Sequence, residues 1–456
     1  MITTVLAFLL ALGLLIVIHE YGHYRVARAC GVKVLRFSIG FGRVLWRKQK
    51  SADDTEFVLC ALPLGGYVRM LDEREDPVPP ELRSQAFNRK PLLQRTAIVA
   101  AGPVANLMLA IVLYAGQHWI GIDEPKAVLG TPVAGSVAER ADLHAGDWVR
   151  ATSRDGQQWD DLQSMTDLRW QLTQAALRGE ALHLMVSDLQ GRDQHEATMD
   201  VGKLDAREVD AQLMRRIGLG APYSEPVLGE VRPDGPAARA GLQQGDRVLS
   251  VDGVPVGDAA QLRERIMATA DGDSARQMRW TVQRRGLEQE ITVQPRVVQE
   301  GDKHLGRIDA FVGQPPAMVT VRYGVLDGLQ EAVVKTWDVS SLTLRMMGRM
   351  LIGEASLKNL SGPLTIADYA GQSARLGLGY YLGFLALVSV SLGVLNLLPL
   401  PMLDGGHLMY YLFEGVTGRP VSELWLKWLQ RGGALIMLLM MSLALSNDVA
   451  RLLGLQ

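Results

Sequence analysis

Four long apolar runs divide the chain, at about 2–22, 96–120, 379–403 and 433–455. Each approaches the ~20 residues that a helix needs to cross bilayer hydrocarbon. Between the second and third runs, about 121–375, apolar and polar residues mix as in ordinary globular protein. The pattern predicts a polytopic α-helical membrane protein with four transmembrane helices and a large extramembrane insert. The first run opens Met1-Ile2-Thr3-Thr4, without the basic start of a leader, and no small-x-small cleavage pattern follows Ile18. It reads as a retained span.

The flanking charges set an orientation. Arg25, Arg28, Lys33, Arg36, Arg43, Arg47, Lys48 and Lys50 follow the first run, and Arg89, Lys90 and Arg95 precede the second. The positive-inside rule then places 25–95 in the cytoplasm and both termini and the insert outside it. The expected order is helix one over 1–24, a cytoplasmic segment over 25–95 and helix two over 96–120. Helix three over 377–403 follows the insert, then a cytoplasmic loop over 404–432 and helix four over 433–456. Within the cytoplasmic segment, Val34–Trp46 and Thr55–Met70 are strand-like and joined by a polar stretch, which predicts a β-hairpin over 34–70. It is apolar for a cytoplasmic loop. A re-entrant hairpin dipping into the membrane and a small cytosolic hairpin are both open. An exposed strand edge there would be able to receive an extended peptide.

The insert carries a weak repeat. Ser136–Val149 (SVAERADLHAGDWV) and Gly235–Val248 (GPAARAGLQQGDRV) share a short helix, a Gly-Asp turn and a strand. Two β-rich α+β modules are expected, over 121–215 and 216–300. The second copy resembles the PDZ domains attached to bacterial membrane proteases. The first departs from that pattern, with Asp142 in place of a glycine. Residues 301–376 form an amphipathic helical region, with Val321, Val325, Leu329, Val333 and Trp337 spaced by four. It would lie either on the outer membrane surface or against the second module.

The chemistry sits in the first run. His19, Glu20, Tyr21, Gly22 and His23 spell H-E-Y-G-H, so two imidazoles share one helix face and can hold one metal ion, with Glu20 between them. Ionisable residues are costly in a span and usually mark function. Catalytic zinc takes three protein ligands and a water. Asp404 closes the third run at a matching depth, where Pro399, Pro401, Gly405 and Gly406 break the helix; His407 is a weaker rival. Asn106 in the second run needs a partner, as glue between helices or at the site.

In combination these motifs resemble the site-2 protease family of intramembrane metalloproteases: H-E-x-x-H, then Gly102-Pro103-x-x-Asn106, then Asn396-x-x-Pro399 ahead of Asp404-Gly405. The tandem modules, Gly40-Phe41-Gly42 and Leu64–Val68 extend the likeness over essentially the whole chain. The resemblance implies a Zn2+ cofactor held by His19, His23 and Asp404, with Glu20 as general base. It implies that Asn396 positions substrate and that the re-entrant hairpin, with Gly65, Gly66 and Tyr67, presents it. The implied substrates are single-pass membrane proteins in a bacterial inner membrane. They comprise an anti-sigma factor already trimmed outside by a first protease, in an envelope stress response, and remnant signal peptides. The PDZ modules would be periplasmic and exclude untrimmed proteins by size. A PDZ-bearing membrane scaffold or chaperone with a vestigial metal site is the rival.

A net charge of -2 over 456 residues offers nothing to nucleic acid. The two cysteines, Cys30 and Cys60, both lie in the segment read as cytoplasmic, so no disulfide is expected.

Overall fold

The computed structural model describes residues 2–51, 53–204, 211–300, 303–351 and 362–452. The end of the predicted fourth span, 453–456, and Ser361 lie outside them. The chain divides into two compact units: Met1–Ile122 with Arg322–Gln456, and Asp123–Val321.

The first unit is helical. Its helices are α1 (Ile2–Ala29), α2 (Leu92–Ile120), α3 (Val325–Leu351), α4 (Pro363–Leu376), α5 (Leu378–Leu397), α6 (Asp404–Thr417) and α7 (Glu423–Leu452). Among the described residues, four helical stretches are long and apolar enough to cross a membrane: Ile2–Ala29, Leu92–Ile120, Leu378–Leu397 and Leu424–Val449. The stretch read as a loop over 404–432 is mostly helix. Its burial of Gly405, Gly406, Tyr410 and Tyr411 gives α6 an inward face, and Arg95 of α2 pairs with Glu414 at 2.6 Å.

Small residues let these helices approach closely, the usual device where no hydrophobic driving force acts between spans. A Cβ on Gly22 of α1 would sit 2.4 Å from the Ala101 carbonyl oxygen of α2. A Cβ on Gly393 of α5 would sit 3.1 Å from the Pro103 carbonyl oxygen. Polar ties fix the register. Tyr381 Oη donates to the Ala7 carbonyl at 2.7 Å, joining α5 to α1. Asp448 of α7 accepts from the Gly362 and Leu364 amides at 3.0 and 2.9 Å and so caps α4. The amphipathic helix α3 buries Ala332, Thr336 and Val339 and joins the end of α2, where Trp119 Nε1 donates to the Val325 carbonyl at 3.1 Å.

Strands β1 (Val34–Lys48) and β2 (Glu56–Met70) complete this unit. They form more than a plain hairpin. Ser38 faces Tyr67 on one side and Val58 on the other, and Val58 faces both Ser38 and Arg47. Each strand is therefore bent back on itself. Four antiparallel segments lie in the order 44–48, 56–60, 36–39, 66–70. Gly40 and Gly42, at φ +85°, and Gly65, at φ +149°, make the bends. Segment 66–70 is an edge.

The second unit holds two four-stranded antiparallel sheets. In the first, Trp148–Ser153 lies between Asp160–Asp161 and Leu182–Ser187, with His195–Met199 outermost. In the second, Arg247–Val251 lies between Val254–Pro255 and Met278–Arg284, with Leu287–Val293 outermost. The repeat is visible in the fold: helices Val137–Arg140 and Pro236–Arg239 precede equivalent strands, and Met165–Arg178 and Ala259–Met267 follow them. Trp280, Leu262, Val248 and Ile308 form the second core. Pairing continues past residue 300, since Ala310–Val312 joins Leu228–Val231. The 303–321 stretch is thus strand-rich, although it falls within the 301–376 region expected to be helical; the helix begins at Val325, inside the stretch whose apolar residues are spaced by four.

Candidate metal centre

H-E-Y-G-H lies on α1, one turn from His19 to His23. Asp404 arrives from the start of α6, with Leu403 in extended backbone just before it. The structure brings the three together: one donor atom from each lies within 4.8 Å of the others. His19 Nε2 is 3.2 Å from Asp404 Oδ2, His23 Nε2 is 3.5 Å from it, and the two Nε2 atoms are 3.2 Å apart. Zinc bonds of 2.0–2.2 Å in a tetrahedron separate donors by roughly 3.3–3.6 Å. The set of two imidazole nitrogens and one carboxylate oxygen therefore fits zinc in kind and in spacing. His23 Nδ1 donates to the Ile98 carbonyl at 2.8 Å, so its Nε2 lone pair is free to face the site. His407 stands apart from this cluster, packed edge-on against Tyr410.

Helix α2 forms the wall behind the imidazoles. A Cβ on Gly102 would lie 2.3 Å from His23 Nε2 and 2.8 Å from His19 Cε1. Only glycine fits there. The sequence offers Gly102 only as part of the Gly102-Pro103-x-x-Asn106 motif; its role against both histidines comes from a tertiary crossing that no local pattern encodes. The Ile98 carbonyl was likewise illegible, being backbone. Asn106 does have its partner, with its side-chain Nδ2 3.4 Å from His19 Nδ1.

Glu20 is half-buried on the same turn. A Cβ on Gly66 would lie 3.0 Å from Glu20 Cγ and 2.8 Å from the Ser38 carbonyl oxygen. The edge segment 66–70 thus runs against the helix at Glu20. Gly65 sits over the Phe41 ring, and Tyr67 stacks on Phe41 with centroids 6.1 Å apart. Asn396 lies in the last turn of α5, half-buried and without a hydrogen-bonded side-chain partner among the described residues.

Apolar helices that bury a His-x-x-x-His pair beside a distant aspartate, with a glutamate between the histidines, define a membrane metallopeptidase. The comparisons with known proteins agree. The model of peptidase family M50 matches residues 7–440. The regulator of sigma-E protease of Escherichia coli is 40% identical over 456 residues, covering 98% of each chain. A Ralstonia nicotianae protein whose name assigns it to the zinc metalloproteases is 43% identical over 462 residues, again covering 98% of each. Protease RseP of Yersinia pestis is 39% identical over 460 residues with the same coverage. The chain belongs to peptidase family M50 and is a zinc metalloprotease of the site-2 type.

Proposed function

We propose that the chain is an intramembrane endopeptidase that cuts the transmembrane segments of membrane-anchored proteins. The observation that carries this reading is the convergence of His19, His23 and Asp404 inside apolar helices, with Glu20 facing a strand edge. His19, His23 and Asp404 hold the zinc. Bound there, zinc supplies Lewis acidity toward a scissile carbonyl and toward water. Glu20 takes a proton from the attacking water and gives it to the departing amine.

The β1–β2 sheet is the re-entrant element that presents substrate. A helical segment hides its amides in its own hydrogen bonds and must open to be cut. Edge 66–70 offers backbone partners to the opened strand. Gly66 leaves no side chain between that edge and Glu20. Gly65 makes the bend that sets the edge, Tyr67 and Phe41 stiffen it, and Asn396 positions the strand from α5.

Four spans with the loops oriented by positive charge put the site near the cytoplasmic face of a bacterial inner membrane. The two modules of Asp123–Val321 then lie in the periplasm as PDZ-type filters that admit only trimmed proteins. The Escherichia coli relative is named for regulating sigma-E, so the substrate class is a membrane-anchored anti-sigma factor, with signal-peptide remnants as a second class.

The test is Glu20→Gln in proteoliposomes with a single-span model substrate. Cleavage should fall by at least ~100-fold, the scale of general acid–base catalysis, with zinc content unchanged. Wild-type cleavage in that variant would defeat the mechanism, and no cleavage by the wild type on any single-span substrate would favour a scaffold with a vestigial metal site.

A further inference from the structure

Asn106 is 1% exposed, in the middle of an apolar helix. Its backbone is pinned, because Ser389 Oγ of α5 donates to the Asn106 carbonyl at 2.7 Å, and Ser389 is itself fully buried. Its side-chain Nδ2 faces His19 Nδ1 at 3.4 Å. Its Oδ1 is buried with no hydrogen-bond partner among the described residues. A buried amide left half-satisfied costs about 1–3 kcal/mol. A residue held this way only to join helices would gain nothing from an orphaned end.

The imidazole explains why an amide stands here, and it calls for the amide oxygen where Nδ2 stands. A histidine that offers Nε2 to a metal carries its proton on Nδ1, and that proton needs an acceptor. His23 has one in the Ile98 carbonyl. Among the described residues no backbone carbonyl of α2 bonds to His19, and the polar group that faces its Nδ1 is the Asn106 amide. The oxygen and nitrogen of an amide exchange places by a half-turn about its terminal bond. Asn106 can therefore set its oxygen on Nδ1–H. Apolar residues of the same shape cannot.

From this we infer that Asn106 is a positioning residue. Its amide oxygen accepts the His19 Nδ1 proton and so fixes the tautomer and ring orientation that aim Nε2 at the metal. The inference rests on reading His19, His23 and Asp404 as the zinc ligands. It makes α2 the helix that sets both histidines, through a backbone carbonyl for one and a side chain for the other. In chemical class the pair is an amide–histidine–metal relay, where carboxylates or carbonyls more often stand.

The experiment compares full-length wild type, Asn106→Leu, Asn106→Asp and His19→Ala by competition for zinc with a chromophoric chelator. Each zinc-free protein is also melted. Leucine keeps the volume and removes the acceptor; aspartate keeps an acceptor and removes the donor. Asn106→Leu should bind zinc ~10–100-fold more weakly, the scale for losing a partner behind a ligand. Asn106→Asp should stay within about threefold of wild type or bind more tightly. Wild-type zinc affinity in Asn106→Leu overturns the inference. So does equal weakening in both variants with equally lowered zinc-free melting, which marks a purely structural role. If the leucine variant does not fold, the aspartate variant decides alone: retained affinity supports the acceptor, and a tenfold loss overturns it. His19→Ala must lose affinity as well. If it holds zinc like the wild type, the ligand reading itself fails, whereas a weak His19→Ala beside a normal Asn106→Leu sinks this inference alone.

Discussion

Two aspartates in this protein, one fully buried and one half-buried, do opposite things. Asp246, in the second module, is fully buried, yet every demand it makes is met. Arg284 Nε and Nη2 each reach it at 2.6 Å, and the Gln243 amide donates at 2.8 Å. Asp404, in the helical unit, faces the Nε2 atoms of His19 and His23 at 3.2 and 3.5 Å. Those two nitrogens also face each other at 3.2 Å. Three groups that are acceptors in their ligand forms point at one space. The lesson is that burial alone does not mark a site. A satisfied carboxylate is a strut, and a set of converging lone pairs wants a cation.

That contrast breaks most directly by exchanging the two phenotypes. Asp404→Ala removes one of the three proposed ligands. Zinc affinity should fall by at least about three decades, roughly 4 kcal/mol, while the second module keeps its fold. Atomic absorption on the purified protein checks it, and equal zinc in variant and wild type would remove Asp404 from the ligand set. Asp246→Ala should do the reverse. Arg284 is partly exposed, which softens the loss, so about 2–3 kcal/mol of unfolding free energy is expected to go. Zinc content should not change. The repeat supplies an internal control: Asp147 occupies the equivalent turn and, among the described residues, accepts only from the His144 amide, at 2.7 Å. Asp147→Ala should cost no more than about 1 kcal/mol. Similar losses at the two positions, read by chemical denaturation, would show that the arginine pair is not what distinguishes them.

The same contrast explains how much could be read from the chain. The helices long and apolar enough to cross a membrane are legible because apolar length is a one-dimensional property. H-E-Y-G-H was legible because four residues make one helical turn. Asp404 needs a depth argument, which its place at the end of the third run supplies, while Pro399 and Pro401 let the backbone bend there. What stayed hidden depends on crossings and bends. Gly102 reads as one more small residue in a span until α1 lies on it. The doubled-back course of β1 and β2 follows from three glycines whose positive φ values do not show in a strand pattern. Residues 404–432 read as a loop because they fall between two apolar runs and carry Arg419, Lys427 and Arg431. In the fold, Asp404 instead opens helix α6, where a carboxylate suits the positive end of its dipole.

Gly102 gives the next smaller effect. Alanine there would place its Cβ 2.3 Å from His23 Nε2, so at least one imidazole must turn away from Asp404. Gly102→Ala should weaken zinc binding by ~10–100-fold, about 1.4–2.8 kcal/mol. Chelator competition measures it. Unchanged affinity would mean that α1 and α2 part easily, which their close contact at Gly22 argues against.

The smallest effect lies within the repeat itself. Gly241 of the second copy has φ +84°, and its counterpart Asp142 adopts φ 58° although it carries a side chain. The first module has kept the backbone turn and lost the residue best suited to it. Aspartate tolerates the left-handed region better than most residues, so the strain is modest. Glycine would relieve that strain but give the unfolded chain more freedom, which cancels part of the gain. Asp142→Gly should therefore raise stability by only about 0.5 kcal/mol, read as a small upward shift in denaturation midpoint. A loss of that size or more would show that the exposed Asp142 carboxylate, 3.8 Å from His144 Nε2, holds the turn through its charge rather than merely enduring its geometry.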